Sequence, residues 1–177
     1  IKITFMERVK TGIDGLDQAL GGGIPKGNVI LVSGSAGTGK TLVSLSFIYY
    51  GATKFKESGI YISTDQSPEE IKEQAKSFGW DLNALEKKKL ISLYFMDVTK
   101  KENMHYLKEL NKLVQRIKAK RVVLDSLTTI SEFLVPSEIK KGSKLFDVLG
   151  NLSPISITES MVSKIIISKV IRYLKDT

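Results

Sequence analysis

The octet Gly34-Ser35-Ala36-Gly37-Thr38-Gly39-Lys40-Thr41 constrains this chain more than any other feature, because it satisfies G-x-x-x-x-G-K-[ST] at every fixed position. A loop of that kind has to leave a buried strand and enter a helix. Both flanks comply. Asn28 to Ser33 (NVILVS) is an apolar, β-branched run of strand length, and from Lys40 to about Lys54 the residues Leu42, Leu45, Phe47, Ile48 and Tyr49 predict a helix with a broad apolar face. The glycines let the backbone turn until successive N–H groups point inward, and the helix N-terminus adds positive partial charge at the same place. Such a cradle fits phosphate. The expected binding residues are Gly34, Ser35, Ala36, Gly37, Thr38, Gly39, Lys40, Thr41 and Leu42, with Lys40 reaching the outer phosphates and the Thr41 hydroxyl offered to Mg²⁺.

The remaining pattern alternates strands with helices. Gly59 to Ser63 (GIYIS) and Leu90 to Phe95 (LISLYF) read as strands, and Arg121 to Asp125 (RVVLD) as a further one. Between the first two, Ser67, Pro68 and Glu70 open a helix through a capping box, and it is expected to run to about Phe78. Before the third, Leu107, Leu110, Val114 and Ile117 share one face of a helix. Ahead of the loop, Thr11 to Leu20 predicts a helix with Thr11 and Asp14 at its start, stopped by Gly21-Gly22-Gly23. Pro25 and Gly27 mark a turn. Strand–helix alternation of this length implies an α/β fold, with a mostly parallel sheet flanked by helices. Beyond Leu127, Pro136 to Leu149 reads as helix, and Ser156 with Glu159 caps a run to Leu174 in which Ile165-Ile166-Ile167 fits a buried strand equally well.

Composition removes several alternatives. The 177 residues contain no Cys, which excludes disulfides, thiolate metal sites and cysteine nucleophiles, and fits a reducing, cytoplasmic setting. No apolar run reaches the roughly 20 residues needed to span a bilayer, and Ile1 to Lys10 lacks a signal-peptide layout, so a soluble protein without a membrane partner is expected. The formal charge of +8 is spread as +3, +3, 0 and +2 over residues 1–60, 61–125, 126–157 and 158–177. A nucleic-acid surface concentrates Lys and Arg on one element, so this even excess does not favour one. His105, the single histidine, has no partner at metal-ligand spacing and reads as a surface residue, and Trp80 reads as a core or rim anchor.

A phosphate loop also needs an acid near the metal, at the end of a neighbouring buried strand. Asp125 ends RVVLD where that acid is required, although the same residue could serve as a strand-terminal turn. With these parts in place, the chain resembles the RecA superfamily of P-loop ATPases, and within it KaiC-like proteins. The residues that carry the resemblance are Thr11-Gly-Ile-Asp-Gly-Leu-Asp-Gln-Ala-Leu-Gly-Gly-Gly-Ile-Pro25, the loop GSAGTGKT, Lys76-Ser-Phe-Gly-Trp-Asp81 and VVLDS, across about Val9 to Leu127. The resemblance implies a RecA-like core, ATP as ligand with Mg²⁺ held by Thr41 and Asp125, and ring-like or filamentous homo-oligomers, a hexameric ring among them, with nucleotide between subunits.

Two departures qualify what carries over. Where the family has one glutamate or a pair to polarise the attacking water, this chain has Asp65 and Gln66. Asp65 can act as the base with a carboxylate one methylene shorter, or it can merely shape the turn before Ser67. Residues 1–177 read as one domain that stops short of the C-terminal strands the family carries. Three functions follow as expectations: an ATP hydrolase using Lys40 and Asp65; an ATP-dependent assembly or signalling module with little turnover; and a recombinase-like ATPase that binds single-stranded DNA, for which the segment Ser126 to Ile157 lacks clustered Arg.

Overall fold

The computed structural model describes residues 7–97, 112–126 and 129. Within them the order is β1 (Arg8–Val9), α1 (Leu16–Ala19), β2 (Ile24–Pro25), α2 (Lys40–Lys54), β3 (Gly59–Ser63), α3 (Pro68–Lys76), α4 (Leu82–Lys87), β4 (Ile91–Phe95) and β5 (Arg121–Asp125). Three strands form a parallel sheet in the order β4-β3-β5, and β1 pairs antiparallel with β2. The register sets Gly59 beside Ile91 and Arg121, and Ser63 beside Phe95 and Asp125.

Strand side chains alternate between two faces, so each face of the sheet recruits its own layer. On one face Tyr61 and Ile91 pack with Leu45, Ile48 and Ala52 of α2, Ile71 and Ala75 of α3, and Leu82 and Leu85 of α4. On the other, Ile60 and Ile62 pack with Met96 and with Leu113, Val114 and Ile117 from the helical stretch at 112–117. Burying Leu45 or Ile48, both fully enclosed, contributes about 1.5–3 kcal/mol each. The central strand β3 is buried at all five positions, as a parallel strand covered on both faces must be.

Several expected elements appear where periodicity places them. The helix after the loop spans Lys40–Lys54, and the strands GIYIS and RVVLD match residue for residue. At α3 the capping box is complete, with the Glu70 N–H donating to Ser67 Oγ and the Ser67 N–H donating to Glu70 Oε2 at 2.7 Å. That helix closes at Lys76, two residues earlier than predicted. The short α4, which the periodicity did not reveal, is capped by Asp81 accepting from the Ala84 N–H at 2.9 Å.

Two expectations are corrected. The predicted helix from Thr11 contracts to Leu16–Ala19, because Gly15 at its N-cap has φ 78° and the preceding residues form a loop. The carboxylate that organises the loop is Asp17, not Asp14. It accepts from the N–H groups of Thr11 (2.7 Å) and Gly12 (3.2 Å). Burial would raise the Asp17 pKa, but those donors outweigh it and hold the group below its ordinary value. The second correction concerns Asn28 to Ser33. No strand is present there, and Val29, Ile30, Leu31 and Val32 are 52, 46, 68 and 41% exposed. Strand propensity supplies no ladder by itself. Among the described residues β5 pairs only with β3, and nothing clamps this run against the sheet. Leu107, Leu110, His105 and all the elements expected after Leu127 lie outside the described residues.

Candidate functional site

The loop between Ser33 and α2 takes its shape from small residues. A Cβ on Gly34 would lie 2.7 Å from Thr38 Oγ1, so a side chain there would displace the threonine. Thr38 uses that hydroxyl to donate to the Ser35 carbonyl at 2.8 Å, closing the turn. Gly39 forms the N-cap of α2 in the left-handed region at φ 86°, with no side-chain cap and no acidic residue in the first helical turn. A cap or an acid would compete for the first N–H groups and cancel the dipole's positive end; without them both act on an anion. Lys40 Nζ donates to the Gly34 carbonyl (3.0 Å) and the Ser35 carbonyl (2.8 Å), which suspends the ammonium across the loop. A lysine ammonium has three donors, so one is left for a phosphate oxygen.

Asp125 ends β5, and α2 packs across β3 and β5, so the first turn of α2 arrives beside it. Thr41 Oγ1 donates to Asp125 Oδ2 at 2.8 Å, across 84 positions of sequence. The phenol of Tyr61, in the centre of β3, donates to the same oxygen at 2.6 Å. Burial first, then the hydrogen bond to the Asp125 carboxylate, pushes the Tyr61 pKa far above its ordinary value, which keeps this phenol a donor. From the sequence Tyr61 reads only as a strand residue. Its role became visible once β3 lay beside β5, although a tyrosine in an otherwise aliphatic buried strand is a signal of a polar partner.

A hydroxyl and a carboxylate are hard oxygen donors, the kind Mg²⁺ selects while keeping several waters and borrowing phosphate oxygens. The pair Thr41 and Asp125 fits that chemistry. Among the described residues no cluster of three or more His, Asp or Glu could hold an ion by itself, so a cation here would depend on the phosphate for its other ligands.

Asp65 stands two residues beyond β3 and is exposed. Its carboxylate does not organise its own turn: the N–H groups of Asp65 (3.3 Å) and Gln66 (2.9 Å) both donate to Ser63 Oγ. Thr64 ties this turn to the end of β5, its N–H donating to the Asp125 carbonyl at 2.8 Å and its Oγ1 accepting from the Ser126 N–H at 3.0 Å. The structure thus brings Lys40 and Thr41 together with Asp125, and sets Asp65 on the neighbouring strand end. Gln66 joins this turn through its N–H on Ser63 Oγ.

The assembled geometry can be set beside known proteins. The family model for the KaiC ATPase matches residues 9–172. The circadian clock oscillator protein KaiC of Parathermosynechococcus lividus is 34% identical over 165 residues, which cover 88% of this chain and 30% of that protein. A UPF0273 protein of Thermotoga maritima is 33% identical over 180 residues, covering 93% of this chain and 73% of that protein. Among solved structures, the KaiC-like protein PH0186 of Pyrococcus horikoshii superposes with a TM-score of 0.67 at 35% identity, over 72% of this chain and 56% of that one. The chain therefore spans about a third of the length of the clock proteins it matches. No helix among the described residues is long and apolar enough to cross a membrane.

Proposed function

Because the chain belongs to the KaiC family of ATPase domains, we propose that it binds Mg-ATP at the loop Gly34 to Thr41 and hydrolyses it with Asp65 as the base. The observation that carries the reading is the hydrogen bond from Thr41 to Asp125 at 2.8 Å, which sets a metal-competent hydroxyl and carboxylate at the mouth of the phosphate loop. Backbone N–H groups from Gly37 to Leu42 bind and orient the phosphates, and Lys40 neutralises charge on the outer pair. Thr41 and Asp125 would hold a divalent ion, which would supply further positive charge to the bound phosphates.

In the reaction a water oxygen bonds to the γ-phosphorus while the bond from that phosphorus to the β–γ bridging oxygen breaks. The electron pair leaves with ADP. Asp65 orients the water and accepts its proton on a carboxylate oxygen. The protein acts as a homo-oligomer in the cytoplasm, with ATP and ADP as its partners.

A second reading, an ATP-dependent assembly module with little turnover, is supported by Asp65 and Gln66 standing where the family's glutamates are expected. Titration with a fluorescent ATP analogue and phosphate release from Mg-ATP, with and without single-stranded DNA, separate the readings. Lys40→Ala is expected to weaken nucleotide binding by at least about 10-fold, and Asp125→Asn to abolish its dependence on Mg²⁺. Turnover unaffected by DNA supports the hydrolase, binding without turnover supports the assembly module, and strong stimulation by DNA points to a recombinase relative. An unchanged affinity in Lys40→Ala would remove the loop from the proposal.

A further inference from the structure

We propose that Thr129 is a positioning residue for Asp65, and that a relay of hydroxyls from Ser126 through Thr129 holds this carboxylate with one oxygen presented to water. The proposal rests on the hydrolytic reading above and names what makes an aspartate serviceable there.

The proton inventory directs the relay. Thr129 Oγ1 donates to Asp65 Oδ1, spending its only proton. Ser126 Oγ lies 3.1 Å from Thr129 Oγ1, so in that pair Ser126 must be the donor. The Thr129 N–H also points at Ser126 Oγ, at 3.4 Å. A third hydroxyl, Thr64 Oγ1, lies 3.1 Å from the same Asp65 oxygen and 3.1 Å from the Ser126 carbonyl, and shares its proton between them. Both contacts to the Asp65 carboxylate fall on Oδ1. Among the described residues nothing donates to Oδ2.

This arrangement is not what a turn needs. The turn N–H groups of Asp65 and Gln66 are already satisfied by Ser63, and the next helix is capped by Ser67 with Glu70. The Asp65 carboxylate is spared from backbone duty and is held instead by the hydroxyls of Thr64, its own neighbour, and of Thr129, beyond the end of β5. Thr64 and Thr129 approach from the C-terminal ends of adjacent strands in register at Ser63 and Asp125. An aspartate has a shorter reach than a glutamate and therefore depends more on being aimed, because misplacement of about 1 Å costs about 100-fold in rate.

The test uses phosphate release by the full chain in saturating Mg-ATP, together with the affinity for a non-hydrolysable ATP analogue. Thr129→Val is expected to lower kcat by about 10- to 100-fold while KM and analogue affinity change less than about threefold. Thr129→Ser, which restores the hydroxyl, is expected to return kcat to within about threefold of the parent. In an Asp65→Ala background Thr129→Val should cost nothing more, since its target is gone. Ser126→Ala gives an independent approach to the same relay should the valine variant fold poorly, and is expected to lower kcat in the same direction. If Asp65→Ala lowers kcat while Thr129→Val and Ser126→Ala leave it within threefold, or if the Thr129→Val and Asp65→Ala losses multiply in full, the relay is overturned and the hydrolytic reading stands. A parent protein that binds Mg-ATP without releasing phosphate overturns both.

Discussion

Arg121 is 2% exposed and reaches three segments that are distant in sequence. Its Nε and Nη2 meet Glu57 Oε2 at 2.7 and 2.6 Å, Nη1 donates to the Phe47 carbonyl at 2.9 Å, and Nη2 donates to the Lys10 carbonyl at 2.7 Å. The guanidinium also lies over the rings of Phe47 and Phe55, at 4.5 and 5.2 Å from their centroids. Replacement by alanine removes the donor to two carbonyls and leaves Glu57 without its cation. Truncating one partner of a buried pair costs about 3–5 kcal/mol. Glu57 is 35% exposed and regains water, which places the expected loss at the lower half of that range, about 3–4 kcal/mol. Urea unfolding followed by far-UV circular dichroism measures it: at an m-value of about 2 kcal/mol per molar, the midpoint falls by about 1.5–2 M. Gly51→Ala attacks the same hub without removing a charge, since the new Cβ would lie 2.4 Å from Arg121 Cδ and 2.5 Å from its Nε. Overpacking at about 1–3 kcal/mol outweighs the gain of up to about 1 kcal/mol in helix propensity. If Arg121→Ala shifts the midpoint by less than about 0.5 M at unchanged m, the guanidinium does not hold these segments together and the argument fails.

Two further substitutions test single contacts through pH. Tyr61→Phe removes the donor to Asp125 and is expected to cost about 1.5–3 kcal/mol at neutral pH; because the folded pKa lies above the ordinary 10.0, the phenol's contribution is complete below pH 10 and is lost as pH rises past it, so the alkaline limb of the parent's stability curve should flatten in the variant. Glu70, exposed at the start of α3, is held below its ordinary 4.5 by the Ser67 N–H and then by the Ser67 hydroxyl. Its contribution is complete above pH 4.5 and lost as pH falls through the lower folded value, so Glu70→Gln should remove that part of the acid dependence of thermal melting, while Ser67→Ala costs about 1 kcal/mol at neutral pH and less in acid, where the hydroxyl's bond to the Glu70 carboxylate is already gone.

What could be read from residues alone is what is decided within a turn or two of chain. The loop Gly34 to Thr41, the whole of α2, the strands GIYIS and RVVLD, and the Ser67–Glu70 box all follow from spacing and side-chain type at short range, because caps, glycine turns and helical stripes are local chemistry. Asp125 was legible as a candidate for the same reason, as a lone acid closing an apolar run. The limits of local reading are equally particular. An arginine at the head of a strand reads as exposed, yet Arg121 is buried because Glu57 and two carbonyls, up to 111 positions away, are folded around it. NVILVS reads as a strand, but a ladder needs a neighbouring edge, and propensity does not supply one. Tyr61 on Asp125, and Thr129 on Asp65, join residues 64 positions apart. Those meetings exist only because β3 lies between β4 and β5 in one particular register, which is a choice made by the packing of both faces of the sheet.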